Sequence, residues 1–215
     1  MRINDVWRNI GKEIGVFVKG QFDFVPMSPG VYAWFYPLRV TSLNLEQLLG
    51  ELSDVFNYDA ELEATPKHSS IVPFTWNVIK LEVEQSKKDL IINDQLKKIW
   101  QDVISSPELF LELRKALMRA SILMPPLYVG KTNCLHSRCS QHLNDTRDGT
   151  FHSRFERYAS TRGFSSSKIS DLIFACITTD STGEDNETEI NAHTDLEILL
   201  EAIMKFVSAP SYGIR

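Results

Sequence analysis

Two short aromatic stretches constrain this chain more than anything else in its 215 residues. Residues 30–36 read GVYAWFY and follow Pro29, while residues 127–131 read LYVGK and are entered through Pro125 and Pro126. β-Branched and aromatic residues suit a pleated, half-buried surface, and proline and glycine mark the ends, so both stretches predict strands. A third apolar run, DLIFACITT at 171–179, is short enough to be a buried strand. These pieces predict an α+β fold: a small three-stranded mixed or antiparallel sheet flanked by helices.

The first two strands are far apart in sequence, and the interval has helical periodicity. Leu45, Leu48, Leu49, Leu52 and Phe56 mark one amphipathic helix, and Leu96, Ile99, Trp100, Val103 and Ile104 mark another. Ser106-Pro107-Glu108 predicts an N-cap, an N1 proline and an acidic first turn for a third. Ile79, Leu81 and Val83 alternate with charged residues, which predicts a strand there. The expected organisation is a core of 1–40 and 125–215, interrupted by a mainly helical insertion at 41–124. Beyond the second strand, Asn133 is a candidate cap for a helix through Leu135, Cys139 and Leu143. A polar, acidic loop is expected from Asp180 to His193. The last predicted helix carries Leu196, Leu199, Leu200, Ile203, Met204 and Val207 as one stripe, begins with a Thr194–Glu197 capping box and stops at Pro210.

Charge narrows the partners. The whole chain carries a formal −5, yet residues 131–168 hold seven Lys/Arg against three Asp/Glu. A basic segment inside an acidic protein can be a local footprint for phosphate. Residues 41–124 hold nine Lys/Arg and thirteen Asp/Glu, which makes them a poor surface for broad phosphate contact. No run approaches the roughly 18 apolar residues of a membrane span. The charged first residues lack a signal-peptide core, and three cysteines without a CxxC pair do not make a disulfide framework. A cytoplasmic setting is expected.

The chemistry-bearing residues stand at telling intervals. Tyr128 is followed ten positions later by Arg138 and then four later by His142, within YVGKTNCLHSRCSQHL. Near the end, Glu201 precedes Pro210 by nine positions and Tyr212 by eleven. Together with Gly30-Val31-Tyr32, this set resembles the GIY-YIG nuclease superfamily, which includes homing endonucleases, some restriction enzymes and an excision-repair incision subunit. Two departures stand out. Tyr32 and Tyr128 are 96 positions apart, well beyond the family's usual spacing, and Gly213 occupies a position where the family often has asparagine. A long insertion is cheap in closure entropy, which grows only logarithmically with length.

The resemblance implies a metal-dependent endonuclease that hydrolyses DNA phosphodiester bonds, the DNA being double-stranded. A chain of this size with its own insertion points to a restriction or phage-defence nuclease. The implied catalytic residues are Tyr32, Tyr128, Arg138, His142 and Glu201, with Glu201 as the ligand of Mg²⁺ or Mn²⁺. A lone carboxylate suits Mg²⁺, which keeps most of its water and accepts phosphate oxygens. Arg138 offers a forked cation matched to phosphate, and Tyr32 resembles the family tyrosine proposed as general base. Tyr128 would orient water or phosphate, and His142, one helical turn from Arg138, would relay a proton or bind phosphate. The insertion would serve a homodimer or a protein partner. A catalytically weak, nuclease-derived module that binds nucleic acid or protein is the alternative expectation.

Several residues read more than one way. Lys131, Arg147, Arg154, Arg157 and Arg162 are candidate nucleic-acid contacts. The arginines interleave with Phe151, Phe155, Tyr158 and Phe164, which either line a groove with them or fill a core beneath them. Glu197 competes with Glu201 as metal ligand, but the capping box already accounts for it. Cys134, His136, Cys139 and His142 do not match zinc spacing, and four ligands so close on one helix cannot converge tetrahedrally.

Overall fold

A computed structural model describes residues 14–56, 93–179, 198–205 and 208 of the protein. Four strands form one sheet: β1 (Ile14–Phe17), β2 (Gly30–Phe35), β3 (Tyr128–Thr132) and β4 (Ile173–Thr178). Their order is β1-β4-β2-β3, and every pairing is antiparallel. The expected α+β class with an antiparallel sheet holds, but the sheet has four strands where the sequence predicted three. The added strand, IGVF, is four residues long with a glycine inside it, too short for a clear alternation. It covers the free hydrogen-bonding edge of β4, which backbone groups require of some partner.

β2 is one of the two interior strands, and all six of its residues are buried. Side chains alternate across a sheet, so its two faces serve two cores. Tyr32, Trp34 and Tyr36 join Tyr128, Phe174 and Cys176 on the first face. Val31, Ala33 and Phe35 join Val129 and Ile173 on the second.

Helices α1 (Leu45–Phe56), α2 (Asp94–Ser105) and α3 (Pro107–Ala120) lie between β2 and β3 in sequence. Asn93 caps α2, and the Ser106 side chain caps α3 by accepting from the Leu109 amide, as its Ser-Pro-Glu start predicts. Trp100 of α2 is buried and its indole N–H donates to the Leu43 carbonyl at 2.8 Å. Val55 of α1 belongs to the first core, and Met118 of α3 packs on the second. Helices α1 and α3 therefore share the cores of the sheet.

The first face is covered by α4 (Leu135–Asn144) and α5 (Phe151–Arg162), through Leu135, Cys139, Phe151, Phe155 and Ala159. Phe151 and Phe155 are thus core, which settles that part of the aromatic–arginine pattern. Asn133 does not cap α4. Cys134 holds the N-cap position without a side-chain bond, and the Thr132 hydroxyl accepts from the Cys134 amide instead. Residues 198–205 are helical, and Leu200 and Met204 rest on the second face. Leu199 and Ile203 of the same predicted stripe are exposed. The strand expected around Ile79, the acidic loop, the Thr194–Glu197 box and residues 209–215 lie outside the described residues.

Two glycines are dictated by close approach. A side chain at Gly30 would meet the carbonyl of Ile177, a backbone group held in the sheet. A Cβ at Gly130 would stand 2.5 Å from the Tyr32 hydroxyl and 2.9 Å from the Tyr128 ring. Both rings are locked in the first core, so neither can yield freely. Gly130→Ala is expected to destabilise the protein by about 1–3 kcal/mol through overpacking. A urea midpoint unchanged from wild type would show that the two rings have more freedom than their packing implies.

Candidate active site

The first face of the sheet gathers residues from three elements around one phenolic oxygen. Tyr32 comes from β2, Tyr128 from the neighbouring β3, and Arg138 and His142 from successive turns of α4. The register sets Tyr32 against Gly130 and Trp34 against Tyr128, so the two tyrosine rings stack with centroids 6.0 Å apart. Arg138 Nε–H donates to the Tyr32 oxygen at 3.1 Å. His142 Nε2 lies 3.3 Å from the same oxygen.

Trp34 fixes the proton on that histidine. Its indole N–H, a donor only, meets His142 Nδ1 at 3.0 Å. Nδ1 must then accept, so the proton of the neutral ring sits on Nε2 and is donated to Tyr32. Burial pushes the His142 pKa down to about 3, with the Arg138 charge adding to the effect. The ring is neutral at pH 7, and its side chain has little contact with solvent. As placed, the neutral ring turns Nε2 toward Tyr32 and carries no charge to offer. It stands behind Tyr32 and orients it.

Tyr32 itself is 1% exposed. Burial raises its pKa well above the ordinary tyrosine value, Tyr128 raises it further, and Arg138 pulls the other way without winning. Tyr32 rests as a phenol. Its oxygen nevertheless receives two N–H donors, an arrangement that would hold a phenolate if more positive charge arrived.

Solvent reaches this cluster through a cleft of about 220 Å³ between α4 and α5. Tyr128, Arg138 and His142 line it, together with Arg147 and Arg154. Arg147 grips Asp145 through Nε at 2.7 Å and Nη2 at 2.5 Å, which holds the carboxyl down to about 2. Arg154 Nε–H donates to the Thr150 carbonyl, and Arg138 Nη1 to the Gln141 side chain. The cleft thus carries three guanidiniums against one carboxylate that is already paired.

Other predicted residues do not join it. Lys131 follows Gly130 on β3, opposite Val31, and alternation sends its side chain to the second face. Arg157 pairs with Asp148 on the exposed side of α5, and the Arg162 side chain lies outside the described residues. Glu201 sits in the helical run that rests on the second face through Leu200 and Met204, and its Oε1 pairs with Lys205 Nζ at 2.9 Å. Among the described residues, no hydrogen bond or ion pair links Glu201 to Tyr32, Arg138 or His142.

The sequence reading missed Trp34, Gln141 and Asp145. Trp34 was detectable, since it lies two positions after Tyr32 on a strand and must share its face. Gln141 follows Arg138 by three on a helix, an ordinary neighbour spacing. Asp145 gave no signal, because its role depends on the loop that folds Arg147 back onto it.

Comparison with family models, with curated proteins and with solved structures returns no match. Among the described residues, no helix is long and apolar enough to cross a membrane, and Cys134, Cys139 and Cys176 are free.

The buried neutral histidine makes stability depend on pH. Its folded pKa is depressed from 6.5 to about 3, so its contribution is complete above pH 6.5 and is lost as pH falls toward 3. Between pH 6.5 and 5, above the range set by Asp145 between its ordinary 3.8 and its folded value of about 2, stability is expected to fall by about 1.4 kcal/mol per pH unit from this group. Urea midpoints of wild type and His142→Gln across that range check it, the variant losing this part of the slope. Trp34→Phe leaves Nδ1 unsatisfied and is expected to cost about 1–3 kcal/mol. Imidazole nitrogen chemical shifts report whether the Nε2–H tautomer persists without the indole.

Proposed function

We propose that this protein is a metal-dependent endonuclease of the GIY-YIG type that hydrolyses DNA phosphodiester bonds, in a restriction or phage-defence role in the cytoplasm. The observation that carries the reading is the convergence of Tyr32, Tyr128, Arg138 and His142, from elements far apart in sequence, at the head of a cationic cleft. Phosphodiester hydrolysis needs a proton acceptor for water, stabilisation of developing charge on phosphate, and help for the leaving oxygen. Arg138 is held by Tyr32 and Gln141 while it lines the cleft, so its charge is fixed before substrate arrives. Such preorganisation is worth most at the transition state. Tyr32, a phenol at rest, would serve as proton acceptor once added positive charge draws off its proton, and Arg138 and His142 keep it in place. Tyr128 stacks on it at the mouth of the cleft. Arg147 and Arg154 receive the flanking phosphates of double-stranded DNA.

Glu201 is the candidate metal ligand. It is a partly buried carboxylate with one oxygen on Lys205, and a single carboxylate with substrate phosphate is a usual donor set for Mg²⁺. Mg²⁺ or Mn²⁺ held by Glu201 would polarise phosphate and stabilise the leaving oxygen only with that helix brought round to the Arg138 cleft, since Leu200 and Met204 rest it on the second face.

A second reading has an observation of its own. Glu201 is engaged with Lys205, in a helix that rests on the sheet face opposite Tyr32. That placement suits a nuclease-derived module that binds nucleic acid or a protein partner without cutting.

One experiment separates the two. Supercoiled plasmid and modified phage DNA are incubated with Mg²⁺ or Mn²⁺ and with wild type, Arg138→Ala or Glu201→Ala. The nuclease reading expects metal-dependent nicking by wild type and a loss on the order of 10²–10³-fold in each variant. DNA binding without nicking, unchanged by Glu201→Ala, would establish the module. Nicking that survives Arg138→Ala would sink the assignment of the site.

A further inference from the structure

A second and larger cleft, of about 690 Å³, lies away from the Tyr32 cluster and shares no lining residue with it. One wall is the extended segment that follows β2, from Leu38 to Thr41. The other is one face of α3, with Ser165 closing the rim. The walls are tied together: the Leu38 amide donates to the Ser121 hydroxyl at 2.8 Å, and that hydroxyl donates to the Leu117 carbonyl. Ser121 is fully buried, so the cleft is built before any ligand arrives.

Its chemistry is two-sided. Arg39, Arg114, Lys115 and Arg119 line it, and among the described residues no carboxylate does. Lys115 is paired with Glu112. Arg39 reaches only a backbone carbonyl, that of Asp171, and Arg114 lies over the Phe110 ring at 6.0 Å. No salt bridge joins any of the three arginines to a carboxylate among the described residues, although the Arg119 charge is felt by Glu112, which Lys115 holds. Arg114 and Arg119 stand five positions apart on one helix, about 7.5 Å along its axis and about 140° around it, so they flank the Leu111–Lys115–Met118 strip from its two sides. Between the cations are the carbon surfaces of Leu38, Leu111 and Met118. A concentration of guanidiniums that form no salt bridge selects an anion, and their planar forks match phosphate. The apolar floor adds a demand that an inorganic anion does not meet. The volume is that of a small organic ligand.

We propose that this cleft is a nucleotide-binding site, with the phosphate on Arg114 and Arg119 and the base against Leu111 and Met118. Phosphate joined to a flat, largely apolar ring satisfies both halves of the lining, and arginine planes also stack on bases. The nucleotide is either free or one unit of a strand. The site stands whether or not the Tyr32 cluster cuts DNA, since the two clefts are lined by different residues.

The test is calorimetric titration of the full chain in EDTA, which removes metal-dependent turnover, with dTMP, thymidine, inorganic phosphate and a short oligothymidylate. The expectation is that dTMP binds, and binds at least tenfold more tightly than thymidine or phosphate alone. Arg114→Ala and Arg119→Ala, both at exposed helix positions and checked for an unchanged melting temperature, are expected to weaken it at least tenfold. Competition between dTMP and oligothymidylate would identify the strand as the source, and failure to compete a free nucleotide. Three results would overturn the proposal: no dTMP binding, equal binding of dTMP and inorganic phosphate, or dTMP binding that survives both arginine substitutions. Loss of nicking in Arg138→Ala with dTMP binding intact would separate this cleft from the other.

Discussion

The indole N–H of Trp34 is a small feature on which the whole first face depends. It is a single donor inside a core of aromatic rings, and its acceptor is a histidine nitrogen that burial keeps unprotonated. With Nδ1 committed, the remaining imidazole proton can go only to Tyr32, whose oxygen is also where Arg138 ends. Three polar side chains therefore sit in an apolar core with their bonding satisfied in a chain, which low dielectric strengthens and which an incomplete chain would not survive. The rings fix the positions, and the hydrogen bonds fix which atom faces which.

This arrangement explains a division of labour between the two sheet faces. The first carries the polar network and the cleft, bounded by α4 and α5. The second is apolar and mostly aliphatic, with Val31, Ala33, Phe35, Val129 and Ile173 under Met118, Leu200 and Met204. A strand buried on both sides has to supply both kinds of residue in alternation, and GVYAWF does so. Its odd and even positions belong to different environments, though the stretch reads as uniformly apolar in composition.

Much of this was legible in the sequence, and what was not has physical causes. Strands at Tyr32, Tyr128 and Phe174 follow from β-branched and aromatic runs bounded by proline and glycine. The caps at Asn93 and Ser106 belong to the local grammar of helices. The grouping of Tyr32, Tyr128, Arg138 and His142 was implied by the family resemblance, and helix period adds only that Arg138 and His142 share a face. Strand alternation, applied to Lys131, would have removed it from the group. β1 escaped because four residues carry too little pattern, and its existence depends on an edge that only the folded sheet presents. The state of His142 escaped because a pKa is a property of surroundings. Glu201 shows the limit of helical reasoning: periodicity finds the helix and its polar side, but not the sheet face on which the helix comes to rest.

The long interval between β2 and β3 has a consequence for the making of the protein. At synthesis rates of about 5–20 residues per second, β2 leaves the ribosome on the order of ten seconds before β3. Both of its hydrogen-bonding edges belong to strands made later, since β3 and β4 are its neighbours in the sheet. For that time a strand destined for complete burial is a nascent segment with two open edges, the kind that pairs with other chains. Translation thus sets a period in which chaperone capacity, rather than final stability, governs how much of the protein is recovered.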